Sequence, residues 1–246
     1  MTKDILTAKW PAPRQVRTCI TTRLGGDSLA PWNSFNLATH VGDDPAHVAA
    51  NRQRLQAALG CQPAWLEQTH STRVVKADPA VVADADASWT DQSGIACAVL
   101  TADCLPVLLC DQSGNRVAAA HAGWRGLADG VLEATVQAMG CAPESLMAWL
   151  GPAIGPQVFE VGEEVFEAFT ATDESAVQAF EPTEREDHYL ADIYQLARLR
   201  LKRLGVQHLY GGGLCTVSDA QRFYSYRRDG QTGRMASLIW LEPTNI

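Results

Sequence analysis

His70, Cys104 and His121 are the residues whose types can do chemistry together. Two imidazoles and a thiolate make a good zinc set. Three protein donors leave the fourth tetrahedral position for water or substrate, as in catalytic zinc sites. The separations, 34 and 17 residues, match no short zinc signature, so only the fold can assemble the set. The same residues also read as a nucleophile and its base: Cys104 with one histidine forms a Cys-His hydrolase pair, and Asp103 orients the base. An adjacent carboxylate raises a thiol pKa, whereas a bound cation deprotonates the thiol outright, so Cys104 beside Asp103 is easier to understand next to a metal. The plainest alternative makes Cys104 a small buried apolar residue, which suits the other six cysteines.

A second group of residues suits an anion. His121-Ala122-Gly123-Trp124-Arg125-Gly126 puts a guanidinium and two close-approach glycines where a helix should start, and free N–H groups there attract phosphate. Arg23, in Thr21-Thr22-Arg23-Leu24-Gly25-Gly26, and Arg227-Arg228, after Ser225-Tyr226, are further cations for an anionic or stacking ligand. Loop solubility explains these arginines, and a plain surface charge Arg125, equally well. Neither Gly25-Gly26 nor Gly211-Gly212-Gly213 fits GxGxxG, which excludes a dinucleotide fingerprint. His40, His47, His188 and His208 lack apolar surroundings with other ligand types and receive no role.

The elements that must position these side chains can be read from pattern. Asp44 as N-cap, Pro45 in the first turn and Gly60 as terminator predict a helix over 44–60. Trp65 to His70 and Arg73 to Lys76 read as short strands, which sets His70 at a strand end. The apolar runs Ile95 to Leu100 and Leu105 to Cys110 predict strands covered on both faces, with Cys104 at the break between them. Arg116 to His121 is a third strand, leading into a helix on Leu127, Val131, Thr135 and Met139 that ends at Gly140. Downstream, Leu146 to Leu150 predicts a strand, Gly162 to Phe169 a short helix and Leu190 to Leu204 a longer one. Strands at Val206 to Tyr210, Phe223 to Tyr226 and Met235 to Leu241 close the chain, the last two as a hairpin. Glu181 to Asp187 reads as a solvated loop. Interleaved strands and helices predict an α/β or α+β domain with helices outside a mixed sheet.

Composition sets the frame. At roughly 150 residues per domain, 246 residues allow one large domain or two small ones. A net charge of −8 supplies no positive field for nucleic acid or anionic lipid. Lys3, Asp4 and Lys9 interrupt the N-terminus where a signal peptide needs an apolar core. The most apolar stretch, Ile95 to Cys110, contains Asp103 and Pro106 and falls short of the ~18 residues of a membrane span. Seven cysteines without a CxxC pair suit a reducing cytosol. The expectation is a cytoplasmic protein, monomeric, without membrane or nucleic-acid partners.

Gln68-Thr69-His70, Thr101-Ala102-Asp103-Cys104-Leu105-Pro106-Val107, His121 to Gly126 and Gly151-Pro152-Ala153-Ile154-Gly155-Pro156 closely resemble the YfiH family, also called the laccase-domain or polyphenol-oxidase family. The resemblance extends from Thr21-Thr22-Arg23 and Phe35-Asn36-Leu37 to Ser225-Tyr226-Arg227-Arg228 and Thr232-Gly233-Arg234-Met235-Ala236. It implies a single α+β domain over 1–246, four layers in the order α/β/β/α with mixed sheets, and zinc bound by His70, Cys104 and His121. It also implies phosphorolysis of the purine nucleosides adenosine, inosine, guanosine and methylthioadenosine, with adenosine deamination as a second activity. Arg125, Arg23 and Arg227 are then candidate phosphate or substrate contacts, and Asp103 is the candidate for moving a proton. The older family name implies copper-dependent phenol oxidation, and bacterial members are linked to peptidoglycan precursor editing. Six histidines are few for the several coppers of laccase chemistry.

Overall fold

In the structure, a computed structural model that describes residues 5–242, the Asp44 carboxylate accepts from the Ala46 amide at 2.8 Å and Gly60 turns left-handed at φ 66°. The first helix therefore starts and stops where capping chemistry predicts. Lys3 and Asp4 lie outside the described residues. In chain order, β1 (Ile5–Leu6) and β2 (Val16–Thr21) precede α1 (Pro45–Leu59). Short strands follow: β3 (Gln62–Ala64), β4 (Leu66–Glu67), β5 (Val74–Lys76), β6 (Ala83–Asp84) and β7 (Ala87–Thr90). The long central strands are β8 (Ile95–Thr101), β9 (Leu105–Asp111) and β10 (Val117–Ala122). Next come α2 (Trp124–Asp129), α3 (Val131–Met139), β11 (Leu146–Leu150), β12 (Glu160–Gly162) and α4 (Glu163–Thr170). The chain ends with β13 (Phe180–Pro182), β14 (His188–Ala191), α5 (Ile193–Arg203), β15 (His208–Gly211), α6 (Tyr226–Asp229) and β16 (Met235–Leu241).

Successive strand residues face opposite sides, so strands apolar at every position need cover on both. Two mixed sheets supply it. One has five strands in the order β1-β2-β16-β8-β3, and the other has six in the order β15-β11-β9-β10-β7-β5. From β8, Cys97 and Val99 meet Leu108, Cys110, Val117 and Ala119 of the facing sheet in an inter-sheet core. The opposite faces are covered by helices. Ala96, Ala98 and Leu100 pack with Leu55 of α1, while Leu105, Val107 and Leu109 pack with Leu132 and Val136 of α3 and Leu196 of α5. The order is helix, sheet, sheet, helix, as the resemblance implied.

Several expectations are corrected. Trp65 to His70 is not one strand: β4 stops at Glu67, and His70 stands in a loop with φ 63°. Phe223 to Tyr226 is not a strand either. Phe223 and Tyr224 are fully buried but belong to no ladder, and Ser225 caps α6 by accepting from the Arg228 amide. The expected hairpin is therefore absent, and β16 lies between β2 and β8. The helix expected from Leu127 breaks at Gly130, where φ is 104°. Leu190 and Ala191 belong to β14, because Asp192 caps α5 by accepting from the Gln195 amide. The acidic 181–187 segment runs largely exposed, but Glu181 and Pro182 belong to β13, paired with Leu190 and Tyr189, and only the rest joins β13 to β14.

Candidate metal centre

The chain passes from one sheet to the other between β8 and β9, and Ala102-Asp103-Cys104 makes the crossing. Asp103 takes φ 94°, a left-handed conformation that Asp tolerates better than most residues. Cys104 thereby reaches the rim where β10 also ends, bringing it to His121. His70 approaches from the loop after β4. Its Nε2 is 3.6 Å from Cys104 Sγ, and the His70 and His121 rings meet edge to face with centroids 4.8 Å apart. One donor atom from each of the three residues lies within 4.8 Å of the others. The three residues singled out in the sequence are thus brought together.

A buried carboxylate that the sequence reading passed over stands behind them. Asp86 has no exposed surface. It accepts from the amides of Thr69, His70 and Ser71 at 3.1, 3.0 and 2.6 Å and from the Ser71 hydroxyl at 2.8 Å. Its Oδ1 is 2.7 Å from His121 Nδ1. Burial alone would raise its pKa, but the hydrogen bonds from His121 and Ser71 hold the carboxyl well below the ordinary carboxylate range. For the Cys104 thiol, too, burial pushes upward, and the facing His121 and His70 outweigh it, bringing the thiol down to about 6. Burial opposes the charged form of His121, yet Cys104 and Asp86 hold it up at about 9. A thiolate with two imidazole nitrogens beside it is a donor set that fits a zinc-like cation.

Gly123 closes the back of the site. A Cβ there would fall 2.7 Å from His70 Cδ2 and 3.1 Å from Cys104 Sγ. Gly126 likewise lets α2 lie against the His70 loop, its Cβ position being 3.1 Å from the Ser71 carbonyl oxygen. Both glycines therefore serve close approach to the His70 loop and Cys104.

A cavity of about 420 Å³ opens over the three residues, a size that suits a small organic ligand. Leu100, Ile154, Phe159 and Ile193 give it apolar walls, and Arg125, Arg227 and Arg234 line it with charge. Arg125 is exposed and lies over the Trp124 ring at 4.3 Å. Arg227 donates to the Glu160 carbonyl at 3.1 Å. Arg23 lies elsewhere: outside the cavity lining, it donates to the Asn33 and Ala220 carbonyls, both at 3.2 Å. α2 is only six residues long, so the guanidiniums rather than the helix end give this cavity its positive character. Asp103 borders the cavity, but its carboxylate is engaged. Oδ1 accepts from the Thr216 hydroxyl at 2.6 Å, and Oδ2 from the Ser225 hydroxyl at 3.0 Å and the Arg227 amide at 2.7 Å.

His40, Gln68 and Arg234 are polar lining residues without an assigned part. His40, set aside for want of apolar surroundings, lines the cavity, and burial followed by Arg234 and Arg52 lowers its pKa. Gln68 clasps the Leu100 backbone from both ends of its amide, at 2.9 and 2.7 Å. Arg234 lines the cavity with its guanidinium on the Thr232 and Gly233 carbonyls. For Gln68 and Arg234 the signal was their place inside the quoted motifs; for His40 the sequence carries none.

Fold and site together define a class: α+β proteins with a His-Cys-His group able to hold a metal at the rim of two stacked sheets. Residues 17–242 match the family model described as multi-copper polyphenol oxidoreductase laccase, and the chain belongs to that family, whose members include the YfiH proteins. A Pseudomonas aeruginosa protein named purine nucleoside phosphorylase is 58% identical over 237 residues, covering 96% of this chain and 98% of its own. The Escherichia coli protein named purine nucleoside phosphorylase YfiH is 54% identical, with 96% and 98% covered. Among solved structures, a Neisseria meningitidis protein superposes with a TM-score of 0.95 at 55% identity, covering 98% of this chain and all of that one. YlmD from Geobacillus stearothermophilus gives 0.89 at 32% identity, with 95% and 94% covered. No helix among the described residues is long and apolar enough to cross a membrane.

Proposed function

We propose that this chain is a cytosolic, monomeric purine nucleoside phosphorylase with adenosine, inosine, guanosine and methylthioadenosine as substrates and adenosine deamination as a second activity. The observation that carries the proposal is one cavity of about 420 Å³ in which the His-Cys-His group and three guanidiniums share the walls. The relatives' names supply the reaction class. In phosphorolysis a phosphate oxygen bonds to C1′ of the ribose, the C1′–N9 bond breaks, and the departing base takes a proton. Arg125 and Arg227 suit the phosphate, since guanidinium is the donor geometry that matches phosphate oxygens. Leu100, Ile154 and Phe159 offer apolar surface to the base. Asp103, with its oxygens committed to Thr216, Ser225 and the Arg227 amide, positions Arg227 in this reading rather than moving a proton. A zinc held by His70, Cys104 and His121, or a copper in its place, supplies a Lewis acid when bound.

The test is metal analysis of protein purified without chelator, together with adenosine turnover with and without phosphate. About one zinc per chain, with phosphate-dependent adenine and ribose 1-phosphate, is expected; a metal-free protein indifferent to phosphate overturns the proposal. A second reading, a Cys-His hydrolase of a peptidoglycan precursor, is favoured by the 3.6 Å between Cys104 Sγ and His70 Nε2. It predicts activity that survives chelation and is lost on alkylation of Cys104. Laccase chemistry would require further copper centres, and one His/Cys/Asp/Glu group suited to a metal occurs among the described residues.

A further inference from the structure

Resting on the metal reading above, we infer that Asp86 is the positioning residue of the metal centre: it fixes which nitrogen of His121 is a donor and where the His70 loop stands before any metal arrives. The carboxylate is fully buried and receives five hydrogen bonds. Four come from Thr69, His70 and Ser71, on one side of the site, and the fifth from His121 at the end of β10 on the other. An ionised carboxylate is acceptor-only. The nitrogen facing it, His121 Nδ1, must therefore carry its hydrogen, and the lone pair of the neutral ring is then on Nε2, the remaining nitrogen. The same oxygens hold three successive amides of a loop that no sheet ladder supports, in which His70 takes φ 63°. A single side chain thus sets two of three ligands 51 residues apart in sequence, its Oδ1 meeting both the His70 amide and His121 Nδ1 while Oδ2 takes the Thr69 amide and the Ser71 amide and hydroxyl. Second-sphere carboxylates elsewhere orient metal-bound histidines in this way; here the carboxylate organises the neighbouring ligand's backbone as well.

Asp86→Asn is the informative substitution because it is nearly isosteric but sets an N–H donor either at Oδ1, against His121 Nδ1 and the His70 amide, or at Oδ2, against the Thr69 and Ser71 donors. An amide nitrogen facing His121 Nδ1 selects the opposite tautomer and puts the hydrogen on Nε2. Ser71→Ala is the comparison, removing one hydroxyl donor while leaving the Asp86–His121 contact in place. Zinc affinity of the metal-stripped proteins, measured by competition with a chromophoric chelator, is expected to fall about 10- to 100-fold in Asp86→Asn and to stay within about twofold in Ser71→Ala. Equal zinc affinity in wild type and a folded Asp86→Asn overturns the inference. Should that variant fail to fold, nitrogen-15 NMR of zinc-loaded wild type decides. His121 protonated at Nδ1 and ligated through Nε2 supports the inference, and the opposite tautomer overturns it. Wild-type protein that takes up no zinc fails earlier and differently, removing the metal reading and this inference with it.

Discussion

At the scale of single residues, the site is built from side chains of opposite legibility. His70, Cys104 and His121 announced themselves by type, since imidazole and thiol inside apolar sequence have few other uses as a set. Asp86 did not, because an aspartate in an Ala-rich acidic stretch looks like any solvated carboxylate until the fold buries it. Two predictions belong here. Cys104→Ala and His121→Ala should each lose zinc and nucleoside turnover together, by at least the about 100-fold that outer-sphere changes can reach, as measured by metal content and product formation; full activity in both would end the metal assignment. Gly123→Ala is subtler. Its backbone, at φ −61° and ψ 156°, accepts alanine without strain, so the whole effect comes from the added Cβ standing 2.7 Å from His70 Cδ2 and 3.1 Å from Cys104 Sγ. Zinc affinity should drop about tenfold or more with little change in melting temperature. An unchanged affinity would mean that the His70 ring is free to move aside.

At the scale of elements, pattern found what is periodic and missed what is held by individual hydrogen bonds. α1, β8, β9, β10 and β16 came from caps and apolar runs and stand where those signals put them. The His70 loop and the Phe223–Ser225 segment were read as strands because both are apolar or β-prone, yet their backbones answer to side chains instead. Asp86 takes the amides of the first, whereas in the second the Tyr224 amide donates to Met235 Sδ and the Ser225 hydroxyl to Asp103, which also takes the Arg227 amide just beyond it. Asp103 therefore ties the β8–β9 crossing to the start of α6, where Arg227 borders the cavity. Asp103→Asn, which keeps the left-handed conformation at φ 94° accessible, puts an N–H donor among three donors. The latch should loosen and the KM for phosphate rise about tenfold, equivalent to about 1.4 kcal/mol, with zinc content and most of kcat retained. A fall in kcat at unchanged KM would instead return Asp103 to the proton-moving part that its position beside Cys104 first suggested.

At the scale of the whole molecule, four stacked layers make the thiols a reporter of how the chain opens. Cys97 and Cys110 lie between the two sheets, while Cys19 and Cys61 lie between the five-stranded sheet and α1. All four are buried, and desolvation pushes each thiol up to about 12. The sign is simple: near neutral pH they remain protonated, and alkylation requires the thiolate. Iodoacetamide should therefore leave these four unmodified in the native protein and reach them only through unfolding, at a rate set by the population of the open form while reclosing is fast. Leu108→Ala removes a fully buried side chain from the inter-sheet core and should cost about 2–5 kcal/mol, which accelerates labelling about 30-fold or more. A chain that unfolds as one cooperative unit opens both interlayers at once, and mass spectrometry should then find Cys19 and Cys61 accelerated by the same factor as Cys97 and Cys110. Acceleration confined to the inter-sheet pair would mean that the α1 layer is held independently of the sheet-to-sheet core, and the chain would then contain two stability units within one architecture.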